Sequence, residues 1–399
     1  MLTKSLRASL CLVSIALIGA TTFDTAHARA GRGLPSEGDL KTESGNSQES
    51  SSRDKTTERE ARQIVENAKV RFKNNNLNSS DLENSLRNYP VNAIPCILDA
   101  MDTNDETIQV PMSTLLNRLT GYEDFYYSDS SVKTIIGLLK SSQKREVKCS
   151  LVGALGNIGP RTDEIKAAIV YTLNNSSEPS VKRAALDALA HLALQEKPLL
   201  QAESTKIIMH ELQNHDSPQI RQSALYALSR MRSNSNLVVP AIIKLLDDNY
   251  ATVRSAACQA LNSYHESSKV AVPKLIEMVR TENDSSIRHS ALNALQSLDR
   301  GNPEVIALYI ELMDDPTLGR TAMSYLSNLG ISAAPAVPKL ITILKTGDIH
   351  SKHQAAMTLM NLGPAAKPAL PVFSEMLKDP DITLVRYAEQ AINRINQTN

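Results

Sequence analysis

Few side chains in this sequence are suited to chemistry. The chain has 399 residues, with eight histidines and four cysteines. Imidazole and carboxylate together hold transition metals. The adjacent pairs His210-Glu211 and His265-Glu266 are therefore the first places to look. His289 and His353 are further candidates, but Ser290 and Gln354 follow them rather than carboxylates. A catalytic metal centre needs several such ligands converging on one point, and these residues are not spaced for that. A Gly-x-Ser-x-Gly elbow, a phosphate loop, Cys-x-x-Cys and His-Glu-x-x-His are all absent from the sequence. No residue is assigned a catalytic, cofactor-binding or metal-ligating role, and no cofactor is expected.

Bulk composition narrows the partners. Lys+Arg and Asp+Glu are both 43, aromatics are 4% and Trp is absent. There is no basic field to draw nucleic acid and little material for base stacking, so nucleic acid is not an expected partner. At the N-terminus, Lys4 and Arg7 precede an apolar run, Leu10 to Ala20, and Ala26-His27-Ala28 follows. This is the pattern of a secretory signal peptide over residues 1–28, cleaved after Ala28 or Ala30. The run is about half of the ~20 residues a spanning helix needs. Leu10 before Cys11 fits a lipoprotein site poorly. The expectation is an exported protein, periplasmic or secreted, with no stable membrane insertion after cleavage. Cys96, Cys149 and Cys258 lie far apart among apolar neighbours; they read as small buried hydrophobes and not as a disulfide framework.

The elements that would position any site come from the patterning. Residues 29–56 are rich in Gly, Ser and charge and are expected to be a disordered linker. Residues 57–90 are expected to form N-terminal capping helices. The first starts near Thr57 with Glu60 in a capping box, buries Ala61, Ile64, Val65, Ala68 and Phe72, and ends at Asn74. From there a helix pair repeats. One unit reads Leu237-Val238-Val239-Pro240, a first helix from Ala241 to Leu246, a turn at Asp247-Asp248-Asn249, and a second helix from Val253 to Leu261. Pro95, Pro273, Pro338 and Pro371 take the Pro240 place, where the first turn of a helix tolerates a missing N–H. Second helices open at Ile108, Val147, Val181, Ile220, Val253, Ile287, Leu318, Ser351 and Leu384, with spacings of 31 to 39 residues. Small or apolar residues stand four, seven and eight places on, as in Ala185, Ala188 and Leu189 or Ala257, Ala260 and Leu261. They allow close helix approach. Gly159, Gly330 and Gly363 are placed to close second helices in a left-handed C-cap. One pair cannot bury its own apolar face, so the pairs must stack.

The stretches Leu329-Gly330-Ile331-Ser332-Ala333-Ala334-Pro335-Ala336-Val337-Pro338-Lys339-Leu340 and Val253-Arg254-Ser255-Ala256-Ala257 resemble HEAT repeats, especially the short type also called PBS-lyase HEAT-like repeats. The resemblance runs over residues 91–396. It implies an all-α fold, a right-handed α-α superhelix of the HEAT/ARM-like solenoid kind with about nine helix pairs. It also implies a basic residue after each opener, found as Lys148, Lys182, Arg221, Arg254, Arg288 and Lys352 but replaced by Gln109, Gly319 and Val385. In the family this base often pairs with the turn Asp, as Arg254 would with Asp248. Second helices of such arrays line the concave side. The candidate binding face, at offsets of about two, six and nine or ten, is then Arg183, Asp187, Gln222, Tyr226, Gln259, Asn262, His289, Asn293 and Arg320, with His191, Arg230, Ser255, Gln296, Ser324 and Ser327 beside them. Amides and an amphipathic Tyr suit a protein or peptide partner. The function expected is a non-enzymatic protein- or peptide-binding scaffold outside the cytoplasm. Three alternatives stay open: a metal-dependent oxidoreductase resembling deoxyhypusine hydroxylases, through His289 and His353; a lyase-type HEAT protein; and a structural envelope protein without a discrete ligand. N-terminal sequencing of protein recovered from the native compartment should begin at Arg29 or Gly31. A mature chain that still starts at Met1 would contradict export by cleavage.

Overall fold

The computed structural model describes residues 47–396, apart from 75–78, 123, 126, 160–162 and 197. The expected signal segment 1–28, and the expected linker up to residue 46, lie outside the described residues. The chain divides into two compact units, 1–53 and 54–399. The described residues of the first, 47–53, are the opening turns of α1. The second unit is helical throughout, with no strand among the described residues. No helix there is long and apolar enough to cross a membrane.

Helix α1 (Ser47–Lys73) begins ten residues before the expected start at Thr57. Residues 47–56 contain neither Gly nor Pro, so a helix anchored downstream by packing extends upstream at little cost per residue. Ala61, Val65 and Ala68 supply that packing and are buried. Thr57 and Glu60 therefore do not form a capping box. The Thr57 hydroxyl accepts from Asn92 Nδ2 at 2.9 Å and Glu60 accepts from Tyr89 Oη at 3.1 Å. These bonds tie α1 to the segment after α2 (Ser79–Leu86).

Nine helix pairs follow among the described residues. They are α3 (Ala93–Met101) with α4 (Glu106–Leu119), α5 (Asp129–Ser141) with α6 (Arg145–Ile158), and α7 (Asp163–Asn175) with α8 (Pro179–Gln195). Next come α9 (Pro198–Asn214) with α10 (Pro218–Met231), α11 (Ser235–Lys244) with α12 (Ala251–Asn262), and α13 (Val272–Thr281) with α14 (Ser285–Asp299). The last are α15 (Pro303–Leu312) with α16 (Gly319–Asn328), α17 (Val337–Thr346) with α18 (Ile349–Leu362), and α19 (Leu370–Met376) with α20 (Ile382–Asn396). All the expected openers except Ser351 are buried. Most second helices start two residues before their opener. Asp105, Asp284 and Asp348 show why: each carboxylate accepts first-turn N–H groups that a helix leaves unpaired.

Second helices pack on second helices more closely than first helices pack on first helices. The small side chains explain the difference. Ala185, Ala188, Ala224, Ala227, Ala257, Ala260, Ala291 and Ala294 are at most 3% exposed. The tightest junction is α6 on α8, where a Cβ added to Gly156 would stand 2.8 Å from Ala188 Cα. The loosest is α14 on α16. There Tyr325 takes the place, seven after the opener, that alanine holds in α8, α10, α12 and α14. Its ring meets that of buried Tyr309 of α15 with centroids 5.6 Å apart while its hydroxyl reaches Asn293 of α14, so its bulk stands where alanine lets the other helices close up.

Two expectations about punctuation need correction. Pro273, Pro338 and Pro371 are each the second residue of their helix, after a 3-10 stretch, as the first-turn rule requires. Pro240 is instead the sixth residue of α11. Its repeat has no 3-10 stretch, and the helix already runs through Leu237-Val238-Val239. Gly159, Gly330 and Gly363 do have positive φ, of 87°, 55° and 60°. At Gly159 and Gly363, however, ψ is −179° and −132°, not the left-handed helical value. That backbone region is essentially open to glycine alone.

The three cysteines among the described residues, Cys96, Cys149 and Cys258, are free. Cys96 and Cys258 are buried, and burial pushes the Cys258 thiol up to about 12, in keeping with a packing role.

Gly156→Val should cost about 2–3 kcal/mol by forcing α6 off α8. Gly137→Ala, whose Cβ meets nothing within 4 Å, should be neutral or gain up to about 1 kcal/mol. Urea unfolding followed by circular dichroism measures both.

Candidate binding face

The nine candidate residues sit where the offsets place them, on the second helices α8, α10, α12, α14 and α16. None is buried: Arg183, Asp187, Tyr226, Gln259, Asn293 and Arg320 are exposed, and Gln222, Asn262 and His289 are half-buried. Because second helices are the more closely spaced layer, this face is the inner side of any curvature the stack takes. Tyr226 is its exposed aromatic, at 47%.

Many of these groups bind each other across repeats. Asp187 of α8 pairs with Arg230 of α10. Within α10, Gln222 Nε2 donates to Tyr226 Oη at 3.3 Å. Ser255 and Ser290 hydroxyls meet at 3.0 Å. Asn293 accepts from Tyr325 Oη, and Gln296 accepts from Tyr309 Oη at 3.2 Å. Ser327 accepts from Asn361 Nδ2 at 2.8 Å. Gln259 and Arg320 have no such partner among the described residues, and Asn262 Oδ1 is shielded from solvent without a donor among them. Thr321 and Tyr325 of α16 and the cross-repeat partners Ser290 and Asn361 were not among the candidates. A bulky residue in an alanine register was the signal available for Tyr325.

The histidines are arranged for structure. His289 Nδ1 lies 3.2 Å from the Ser285 carbonyl, and Nε2 lies 3.2 Å from Thr321 Oγ1. The first contact requires Nδ1 to carry the proton, so Nε2 accepts from the hydroxyl and no lone pair is left for a metal. His353 lies edge-on to Tyr387, with Nε2 3.6 Å from Asp381 Oδ2. In the pair His210-Glu211, the imidazole is exposed and the carboxylate buried.

Along the edge formed by the turns, the basic residues after the openers make a ladder. Arg221 forks onto the Asp248 carboxylate with two bonds of 2.8 Å, and its third nitrogen donates to the His215 carbonyl at 2.8 Å. Arg254 donates to Glu282 at 2.7 Å, and Arg288 to Asp315 at 2.6 Å. The expected pairing of Arg254 with Asp248 inside one repeat is thus wrong. Arg254 takes only the Asp248 backbone carbonyl, at 2.9 Å. Its guanidinium lies against the following repeat, while its own turn presents carbonyls. These side chains are 7–19% exposed, so they are not weak, solvent-screened surface pairs. Asp315 also caps the turn that leads into α16, accepting from the Thr317 and Leu318 N–H groups at 2.8 Å. Burial raises its pKa, but these bonds and Arg288 outweigh burial and hold the carboxyl well below the usual carboxylate range. Glu282 is lowered in the same way, with burial opposed by Arg254 and the Asp284 and Asn283 N–H groups.

Comparison with known proteins agrees with this architecture. Residues 205–296 match the family model for HEAT repeats. The structure of Kap121p bound to Nup53p shares the fold with a TM-score of 0.58 at 12% identity, over 86% of this chain and 41% of that one. The structure in which Kap95p binding induces the switch loops of RanGDP to adopt the GTP-bound conformation does so with a TM-score of 0.60 at 14% identity, over 85% and 50%. The chain thus spans half or less of the length of these solenoids. No curated protein sequence matches it. The chain is an all-α solenoid with a HEAT-like fold, and its residues 205–296 carry the sequence match to HEAT repeats.

The depressed carboxyls make stability pH-dependent. Their contribution is complete above the unfolded value near pH 4 and is lost as pH falls through the folded one. Arg288→Gln should therefore cost about 1.5–3 kcal/mol at pH 7 and clearly less near pH 2. Denaturation midpoints at the two pH values test this.

Proposed function

We propose that this protein is a non-enzymatic scaffold that holds a protein or peptide on its second-helix face, outside the cytoplasm. The observation carrying the proposal is the row of unburied polar side chains that successive second helices present, centred on exposed Tyr226 and Gln259. Such a row offers hydrogen-bond donors and acceptors at regular intervals, and Tyr226 adds a large amphipathic contact of the kind enriched in interfaces. Rigid packing beneath the row means that little ordering is needed when a partner docks. The engaged ring nitrogens of His289 weigh against the oxidoreductase alternative. Kap121p was solved with Nup53p on it, which supports a protein partner by likeness of fold only. The leader pattern over residues 1–28 supports action outside the cytoplasm.

Copurification from the native compartment should recover a partner. Tyr226→Ala with Gln259→Ala should weaken its binding by at least about tenfold while circular dichroism stays unchanged. Capture that is indifferent to both substitutions, or stoichiometric iron lost on His289→Ala, would overturn the proposal.

A further inference from the structure

The Arg ladder has three successive rungs and ends at Arg288, and a cleft lies at the next junction. Arg221, Arg254 and Arg288 each follow an opener and reach the turn carboxylate of the next repeat. The next residue in this series is Gly319. No larger residue fits there, because a Cβ would stand 2.6 Å from the Met313 carbonyl oxygen and 3.1 Å from that of Leu312. The carboxylate that a base at 319 would serve is Asp348, the cap of α18. Asp348 Oδ1 accepts from the His350 and Ser351 N–H groups at 2.9 and 3.0 Å, just as Asp315 Oδ1 serves the turn that leads into α16. The second oxygen differs. Asp315 Oδ2 receives Arg288, whereas Asp348 Oδ2 receives only the Ser351 hydroxyl, at 2.9 Å. No Lys or Arg pairs with Asp348 among the described residues.

The space beside it is a cleft of about 1380 Å³ between α16, α17 and α18. Its walls include Met323, Ile343 and Met357, with Asp348 and Arg320 at its polar edge. The volume exceeds the ~300–1,000 Å³ of small-molecule pockets, and the cleft is open, which suits a segment of chain. The other acids there are already neutralised: Asp314 by Lys339 at 2.6 Å, and Asp315 by Arg288.

We propose that this cleft seats an arginine or lysine side chain from an extended segment of the partner protein, whose cation completes at Asp348 the rung that Gly319 leaves without a base. The inference rests on the scaffold reading above and names what the partner must present. A long basic side chain has an apolar stem and a charged head. Flexible Met side chains fit the stem, and Asp348 meets the head. Hydrogen bonds from Ser351, then His350, hold the Asp348 carboxyl below its ordinary value, so it is anionic at neutral pH. Arg320, exposed at the same edge, donates to a backbone carbonyl of the segment.

The test uses the full-length protein with ¹³C-methyl methionine and two neutral-ended pentapeptides, acetyl-Ala-Ala-Arg-Ala-Ala-amide and its citrulline analogue. The arginine peptide should shift the Met323 and Met357 methyl signals saturably. The uncharged analogue should bind roughly fivefold more weakly, the share of one half-open charge pair. Asp348→Asn, which keeps a side chain able to cap α18, should abolish the difference. Equal affinities in the natural protein, a preference that survives Asp348→Asn, or cleft methyls that do not move would each overturn the seat. If those methyls stay still while the native partner is still captured, the seat fails and the scaffold reading stands. If nothing is captured either, both fail.

Discussion

Close contact between successive second helices is the constraint on which the rest of this molecule depends. A helix pair of this size has too little interior to fold alone. Its apolar surface is removed from water only when the next pair presses on it. Paired alanines in α8, α10, α12 and α14, and glycine at 156, let the backbones approach until dispersion contacts are dense. Large side chains are then largely excluded from the seam there, and polar ones are displaced to the solvent-facing side. The composition of the binding face is in this sense a by-product of the packing. Whatever cannot enter the seam is presented to solvent at a fixed interval.

Two polar systems are laid over that seam and work differently. The ladder at the turn edge is largely buried and geometrically exact, with guanidinium groups satisfied by a carboxylate on one side and carbonyls on the other. Breaking such a group leaves a charge without compensation. The contacts on the second-helix face, such as Asp187 with Arg230, are exposed and individually weak. They are soft enough to exchange for contacts to another molecule. The division separates what holds the repeats in register from what is free to engage a partner.

The sequence made the architecture legible because the seam has a period. Openers and alanines recur, and Ile108 and Leu384 proved to be in register even though Gln109 and Val385 depart from the family pattern. What was not legible had no period to reveal it. The start of α1 depends on propagation from packed residues downstream, and nothing in Ser47 to Thr56 announces it. The partner of Arg254 was misread because Asp248 is near in sequence while Glu282 is near in space. Pro240 looked like its counterparts, yet the residues before it continue the helix where others form a 3-10 turn. At the candidate face, exposure was legible from offsets, but mutual hydrogen bonding was not, since it depends on the separation of neighbouring helices. Tyr325 changes that separation at a single junction.

The head-to-tail sense of the Arg rungs gives the stack an orientation that a simple pile of helix pairs would lack. Arg221, Arg254 and Arg288 each lean toward the C-terminal neighbour, and Asp248, Glu282 and Asp315 are each answered from the N-terminal one. Losing the repeat on the C-terminal side of a rung strands a cation that its own turn carbonyls still solvate. Losing the one on the N-terminal side strands a half-buried anion with no counterion at all. The two sides of each rung are therefore not equivalent as boundaries: a break is tolerated better on one side than on the other, as in a zipper whose teeth close only one way.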